Sequence, residues 1–349
     1  SLTFTVDVTI DIGTTGDVVN VAAATSATTD PNPGDDRTTA TTTVLPNAPS
    51  GLVALAASTT QIDLSWTDNS TDETAFHIER SLNGTTGWTE IGTVGANVTS
   101  YSDNTVLAST TYYNRVRANG AGGCSGYSNV ANDTTLPSAP SGLSASAASS
   151  TQINLSWIDN STDETAFHIE RSPNGATGWT EIGTAGASVT TYSDNTVVAS
   201  TTYYYRVRAN GAGGFSDYSN IDDATSTPGA PSALAASTVS STQIDLSWTD
   251  NSTDETAFHI ERSPNGTTGW TEIGTVGASV ATYSDNTVIA STTYYYRVRA
   301  NGPGGFSDYS NTDDATTTAN APSDLGATPA SQTQIDLAWT DNSSDETGF

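Results

Sequence analysis

Three histidines, His77, His168 and His259, are the chain's full complement of imidazoles, and each precedes a glutamate by two positions: Glu79, Glu170 and Glu261. A His and a Glu two apart on one strand face have the spacing of metal ligands, or of a base beside an orienting acid. Zinc takes three or four ligands at one site and no second His accompanies any of these pairs, so zinc is not expected. His77 alternates with Phe76 and Ile78, which predicts an outer-face strand position. A Ser-His-Asp constellation would have to recur three times in like surroundings, so no catalytic residue is assigned and the segment is not expected to be an enzyme. The loop Asp68-Asn69-Ser70-Thr71-Asp72-Glu73 gathers three carboxylates with amide and hydroxyl oxygens, a donor set suited to calcium. It lacks the sixth-position Gly and twelfth-position Glu of an EF-hand loop, and the expectation is a solvated turn in which Glu73 or Asp72 pairs with Arg80. No metal or cofactor site is assigned. Trp88, Tyr113 and Tyr127 have rings that could stack on sugars. Cys124 is replaced by Phe215 and Phe306 at equivalent positions, which predicts a small hydrophobe rather than a reactive thiol.

The elements that must position these residues form a repeat. Trp66, Trp157, Trp248 and Trp339 stand 91 residues apart without a slip. Around them recur Gln61 to Arg80, Gly87-Trp88-Thr89-Glu90-Ile91-Gly92, Tyr101-Ser102-Asp103-Asn104, and Arg115-Val116-Arg117-Ala118-Asn119-Gly120. A period of this length suits an independently folding domain rather than a solenoid coil. The expected units are 1–45, which lies outside the period, then 46–136, 137–227 and 228–318, and a truncated fourth, 319–349. Within a unit, apolar and polar residues alternate, as at Ile62, Leu64 and Trp66, and Gly, Asn, Asp, Ser and Pro clusters separate the runs. Seven strands per unit are predicted. In the second they begin after Pro140 and continue at Gln152–Trp157, Phe167–Arg171, Trp179–Gly183, Thr191–Ser193, Tyr203–Ala209 and Tyr218–Thr225.

Charge narrows the classes of partner. Ten basic residues, all Arg, face 38 acidic ones for a net charge of −28 over 349 residues. That opposes nucleic acid and anionic membrane surfaces, and no apolar run is long enough to span a bilayer. With neither a starting Met nor a signal segment, the sequence reads as a piece of a longer chain. One Cys is too few for a disulfide framework and leaves the redox compartment open. Asn114 stands where Tyr205 and Tyr296 face the expected core, which predicts that the first repeat is the least stable of the three.

Ala139-Pro140-Ser141-Gly142-Leu143, Leu155-Ser156-Trp157, Ile169-Glu170-Arg171-Ser172 and Tyr203-Tyr204-Tyr205-Arg206-Val207-Arg208-Ala209, followed by Gly213-Gly214 and Tyr218-Ser219-Asn220, resemble a bacterial fibronectin type III domain. The resemblance implies an all-β chain of tandem immunoglobulin-like, seven-strand sandwiches, beads on a string, with Trp157 in the core and Tyr112, Tyr203 and Tyr294 as tyrosine corners. Val18 to Ala24, Asp30 to Asp36 and the Thr-rich stretch ending at Val44 resemble the end of a conserved-repeat β-sandwich module of bacterial surface proteins.

The expected role is a non-catalytic spacer or adhesion segment of a large secreted or cell-surface bacterial protein, located outside the cell. The alternative is an accessory spacer, in contact with carbohydrate, of a secreted glycoside hydrolase or protease. Partners would be protein or polysaccharide at the cell surface, with no nucleic acid and no membrane insertion. Linkers such as Thr135-Leu136-Pro137-Ser138-Ala139-Pro140 are short and proline-stiffened, which predicts a monomeric rod. A third expectation, raised by the open ends, is a filament subunit that completes its cut-off sandwich with a neighbour's strand.

Overall fold

The computed structural model describes residues 17–23, 37–344 and 347–348. These form strands and turns without a helix, so none of them makes a helix able to cross a membrane. Strands β1 (Asp17–Ala23) and β2 (Arg37–Thr43) pair antiparallel in unbroken register. The rest of the upstream segment expected to resemble a surface-protein module lies outside the described residues.

The first repeat contains β3 (Ser50–Ala56), β4 (Ile62–Thr67), β5 (Glu73–Ser81), β6 (Thr89–Gly95), β7 (Ser100–Asp103), β8 (Thr111–Gly120), β9 (Gly123–Tyr127) and β10 (Ala131–Thr134). One sheet has the order β3-β4-β7; the other has β10-β8-β5-β6, with β9 also on β8. β9 meets β8 between Arg117 and Gly120, and β10 meets it between Thr111 and Asn114, so the two are halves of one edge strand. Counted this way, the unit is a seven-strand antiparallel sandwich of three strands on four.

Period-two alternation decides what each sheet buries. Ile62, Leu64 and Trp66 point inward from one sheet and Phe76, Ile78, Val116 and Ala118 from the other, all buried. Each large apolar side chain removed from water contributes about 1.5–3 kcal/mol. Trp66 meets Phe76 with ring centroids 5.7 Å apart, and the pair recurs as Trp157–Phe167 and Trp248–Phe258. Between the sheets, Asn129 holds the β3 backbone by accepting from Leu52 N and donating to Leu52 O.

The second and third repeats have the same two sheets. One strand differs from expectation. The run predicted near Tyr218–Thr225 shortens to Asp222–Thr225, and a separate edge piece, Gly214–Phe215, precedes it. Between them, side-chain hydroxyls replace ladder carbonyls: Ala209 N donates to Ser216 Oγ and Val207 N to Ser219 Oγ. The fourth repeat is described as a hairpin, Ser323–Ser331 with Gln334–Thr340. Its Leu325, Ile335, Leu337 and Trp339 are exposed, whereas Leu234, Ile244, Leu246 and Trp248 one repeat earlier are buried beneath the second sheet.

Candidate functional site: the charged sheet face, the acidic loop and the junctions

Alternation that buries Phe76 and Ile78 sets His77 and Glu79 on the outer face of β5, opposite Arg117 and Arg115 of β8. Glu79 is nonetheless only 7% exposed. Arg115 donates to Glu79 Oε2 from Nε at 2.9 Å and Nη2 at 2.6 Å, the Tyr127 hydroxyl donates to Oε1 at 2.7 Å, and Arg117 lies 3.4 Å from Oε1. Burial pushes the Glu79 carboxyl up, but the Tyr127 hydroxyl and the two guanidiniums outweigh it and hold it below the ordinary range; Glu170 and Glu261 behave alike. Arg115 stacks between Trp88 and Tyr127, at 4.2 and 3.6 Å from their centroids. His77 Nδ1 bonds Glu90 at 2.9 Å, with no nucleophile between them.

This arrangement bears on the residues considered for sugar contact. Trp88 and Tyr127 each give a ring face to a guanidinium, and Tyr113 lies against the turn at Gly84, where a Cβ would collide with its ring. Gly84 has φ of 69°, so glycine is required on both counts. Cys124 has its Sγ 3.5 Å from Asn119 Oδ1. Its counterpart Phe215 instead packs edge-on to His168 and under Arg208.

Arg80 does not pair with the acidic loop as the sequence suggested. Its Nη1 binds Asp103 Oδ2 and Thr105 Oγ1, because β5 carries it past the end of β7 on the facing sheet. The pair recurs at 2.7 Å as Arg171–Asp194 and Arg262–Asp285. The tyrosine corner forms beside it: the Tyr112 hydroxyl accepts from Leu107 N at 3.0 Å, and Tyr203 and Tyr294 accept from Val198 N and Ile289 N.

In the acidic loop, Asp68 Oδ1 accepts from Ser70 N, and Ser70 Oγ donates to Asp72 Oδ1 at 2.8 Å. Glu73 is 6% exposed; its Oε1 accepts from Asn97 N at 2.9 Å, while its buried Oε2 has no partner. Glu164 and Glu255 repeat both features. In the second repeat, burial and the facing Glu164 charge push the Asp159 carboxyl up. Asn69 donates from its amide nitrogen to Ala48 O and Ser50 Oγ, so this asparagine is tied into the fold. Among the described residues, no three His, Cys, Asp or Glu side chains converge as a metal cluster.

The junctions between repeats are also built. Thr135, fully buried at the start of the linker, donates to Leu107 O at 2.6 Å and accepts from Thr110 N. Ser226 and Thr317 do the same one and two repeats on. Ser109, at φ 55°, reaches across to Asp163 of the second repeat, and Ser200 reaches Asp254 of the third. Gly213 lies against the Thr134 and Thr135 carbonyls and Gly304 against those of Thr225 and Ser226, where any Cβ would collide. Gly122 stands in the same way against Thr43 and Val44, so the segment after β2 meets the first repeat in the same manner. The sequence reading missed these contacts. A glycine that recurs where a linker returns was the available signal.

No family model matches the chain. Exoglucanase B of Cellulomonas fimi is 30% identical over 292 residues, covering 78% of this chain and 25% of that protein, so the chain spans about a quarter of its relative's length. Among solved structures, the FN1–FN3 domains of chicken CNTN1 match 78% of this chain and 99% of theirs at 18% identity and a TM-score of 0.32. A two-domain fibronectin type III segment of chicken tenascin matches 51% of this chain and 99% of its own at 17% identity and a TM-score of 0.34. With its three-on-four strand order, buried tryptophan and tyrosine corner in each of three repeats, the chain is a tandem array of fibronectin type III sandwiches.

Proposed function

We propose that this segment is a non-catalytic extracellular spacer that holds other domains of a bacterial protein at a fixed separation. The junction supports this reading: a clamped threonine or serine, a cross-repeat Ser–Asp bond and a side-chain-free glycine recur at successive linkers. A freely jointed string would need none of them. Similarity to an exoglucanase favours a glucan-degrading enzyme as the protein it serves. An adhesive or sugar-capturing role gains less support, because Trp88 and Tyr127 stack on Arg115 and are fixed by the buried Glu79 network.

The test is to offer the purified chain soluble and insoluble β-glucans. Neither turnover nor retention is expected. Retention on the insoluble polymer that disappears when Trp88, Trp179 and Trp270 are changed to Ala would replace the spacer reading with a binding face. Saturable hydrolysis would overturn it outright.

A further inference from the structure

We propose that the acidic loop of each of the three repeats is a site for a hard divalent cation of the calcium type, built on Asp68 and Glu73 and on the equivalent pairs Asp159–Glu164 and Asp250–Glu255. Three observations carry this beyond the presence of acidic residues. First, Glu73, Glu164 and Glu255 are 6–7% exposed, and each keeps one buried carboxylate oxygen without a hydrogen-bond partner. A buried anionic oxygen left unpaired is costly, and here the same atom is unpaired three times.

Second, in the second and third repeats that carboxylate lies near enough to a second one to interact with it, Glu164 with Asp159 and Glu255 with Asp250. Third, among the described residues the three repeats keep no basic side chain free for the loop. The nine arginines of the three repeats are bound to Glu79 and Asp103 and their equivalents, the chain has no lysine, and the histidines pair with Glu90, Glu181 and Glu272.

All the available donors are oxygens, which selects calcium or magnesium over zinc. Two carboxylates leave most positions to water, so affinity falls in the weak range of extracellular modules, Kd on the order of 0.1–1 mM. The inference goes beyond the spacer reading and holds or fails without it, since its readout is binding.

The experiment is calorimetric titration of the whole chain with calcium chloride, with thermal unfolding in parallel and sodium chloride of equal ionic strength as the control. The result expected is saturable binding of three ions per chain, and a rise in Tm of at least roughly 6 °C at about 10 mM calcium that sodium does not reproduce. The triple variant Glu73→Gln, Glu164→Gln and Glu255→Gln keeps the Oε1 acceptor for the Asn97 amide and should fold but lose both effects. If that variant fails to fold, Asp68→Asn, Asp159→Asn and Asp250→Asn serve instead and should likewise lose them. A calcium response no larger than that of sodium, or one retained by the folded variant, overturns the proposal.

Discussion

Replacing Asn114 with Tyr should stabilise the first repeat more than any other single change in it. Asn114 is 1% exposed, and neither its Oδ1 nor its Nδ2 has a partner. At the same position Tyr205 and Tyr296 fill the core and donate their hydroxyls to Asp194 and Asp285 at 3.1 Å. Asp103 of the first repeat is equally buried but receives no such phenol. Each unpaired buried polar group costs about 1–3 kcal/mol, and a hydrogen bond to a charged acceptor contributes about 1.5–3 kcal/mol, so Asn114→Tyr should gain at least about 2 kcal/mol after reorganisation. For a domain of this size that is at least roughly 8 °C in Tm. The assay is calorimetric unfolding of the whole chain, with hydrogen exchange read peptide by peptide to identify which repeat opens first. In the parent, residues 46–136 should open first; in the variant, the earliest transition should move up and merge with the others. Tyr205→Asn should bring the second repeat down to the level of the first. If Asn114→Tyr leaves the first transition unmoved, or the parent's first repeat proves the most stable, the reasoning from unpaired polar atoms is refuted.

Other outcomes follow from the same geometry. Glu79, Glu170, Glu261, Asp194 and Asp285 are held below the ordinary carboxyl range in the folded protein, so the unfolded chain binds their protons more readily. Stability should therefore be full above the unfolded values, near pH 4.5, and fall as pH drops through the lower folded ones, as followed by urea midpoints across an acid series. The Tyr205 and Tyr296 phenols are pushed up by burial and by the neighbouring Asp194 and Asp285, so stability should also fall once pH rises above about 10, where the unfolded phenol ionises. Asn114 removes that liability from the first repeat, and alkaline melting should show it. Glu170→Ala strands Arg206 and Arg208, both partly exposed, and should lower the second repeat's stability by about 1–3 kcal/mol in denaturant unfolding. Gly213→Val, whose side chain would meet the Thr134 and Thr135 carbonyls, should loosen one junction without melting either core, seen as greater distance spread between spin labels on the first and second repeats.

The parts legible in the sequence were those fixed by local pattern. Period-two alternation placed Ile62, Leu64 and Trp66 inside and His77 outside, while the corner at Tyr112 was implied by the family resemblance. Contacts that depend on how two sheets stack were not legible. Arg80 had Asp68, Asp72 and Glu73 nearer in sequence, but the sandwich brings it to Asp103 on the opposite sheet. The two serines of Ser216-Asp217-Tyr218-Ser219 gave no hydrophobic signal, yet their hydroxyls occupy alternate amides of the neighbouring strand, so the edge strand predicted near Tyr218–Thr225 starts only at Asp222. The unpaired Glu73 oxygen belongs to the same class, since only the packed structure shows that every repeat arginine is bound elsewhere.

The most direct test of the spacer account is small-angle X-ray scattering of the intact chain. Three sandwiches joined by ordered junctions predict a rod on the order of 100 Å or longer, with a radius of gyration of about 30 Å or more that does not change with concentration. A radius of gyration of about 20 Å, the value for a compact particle of this length, or a scattering profile of freely jointed beads, would contradict it.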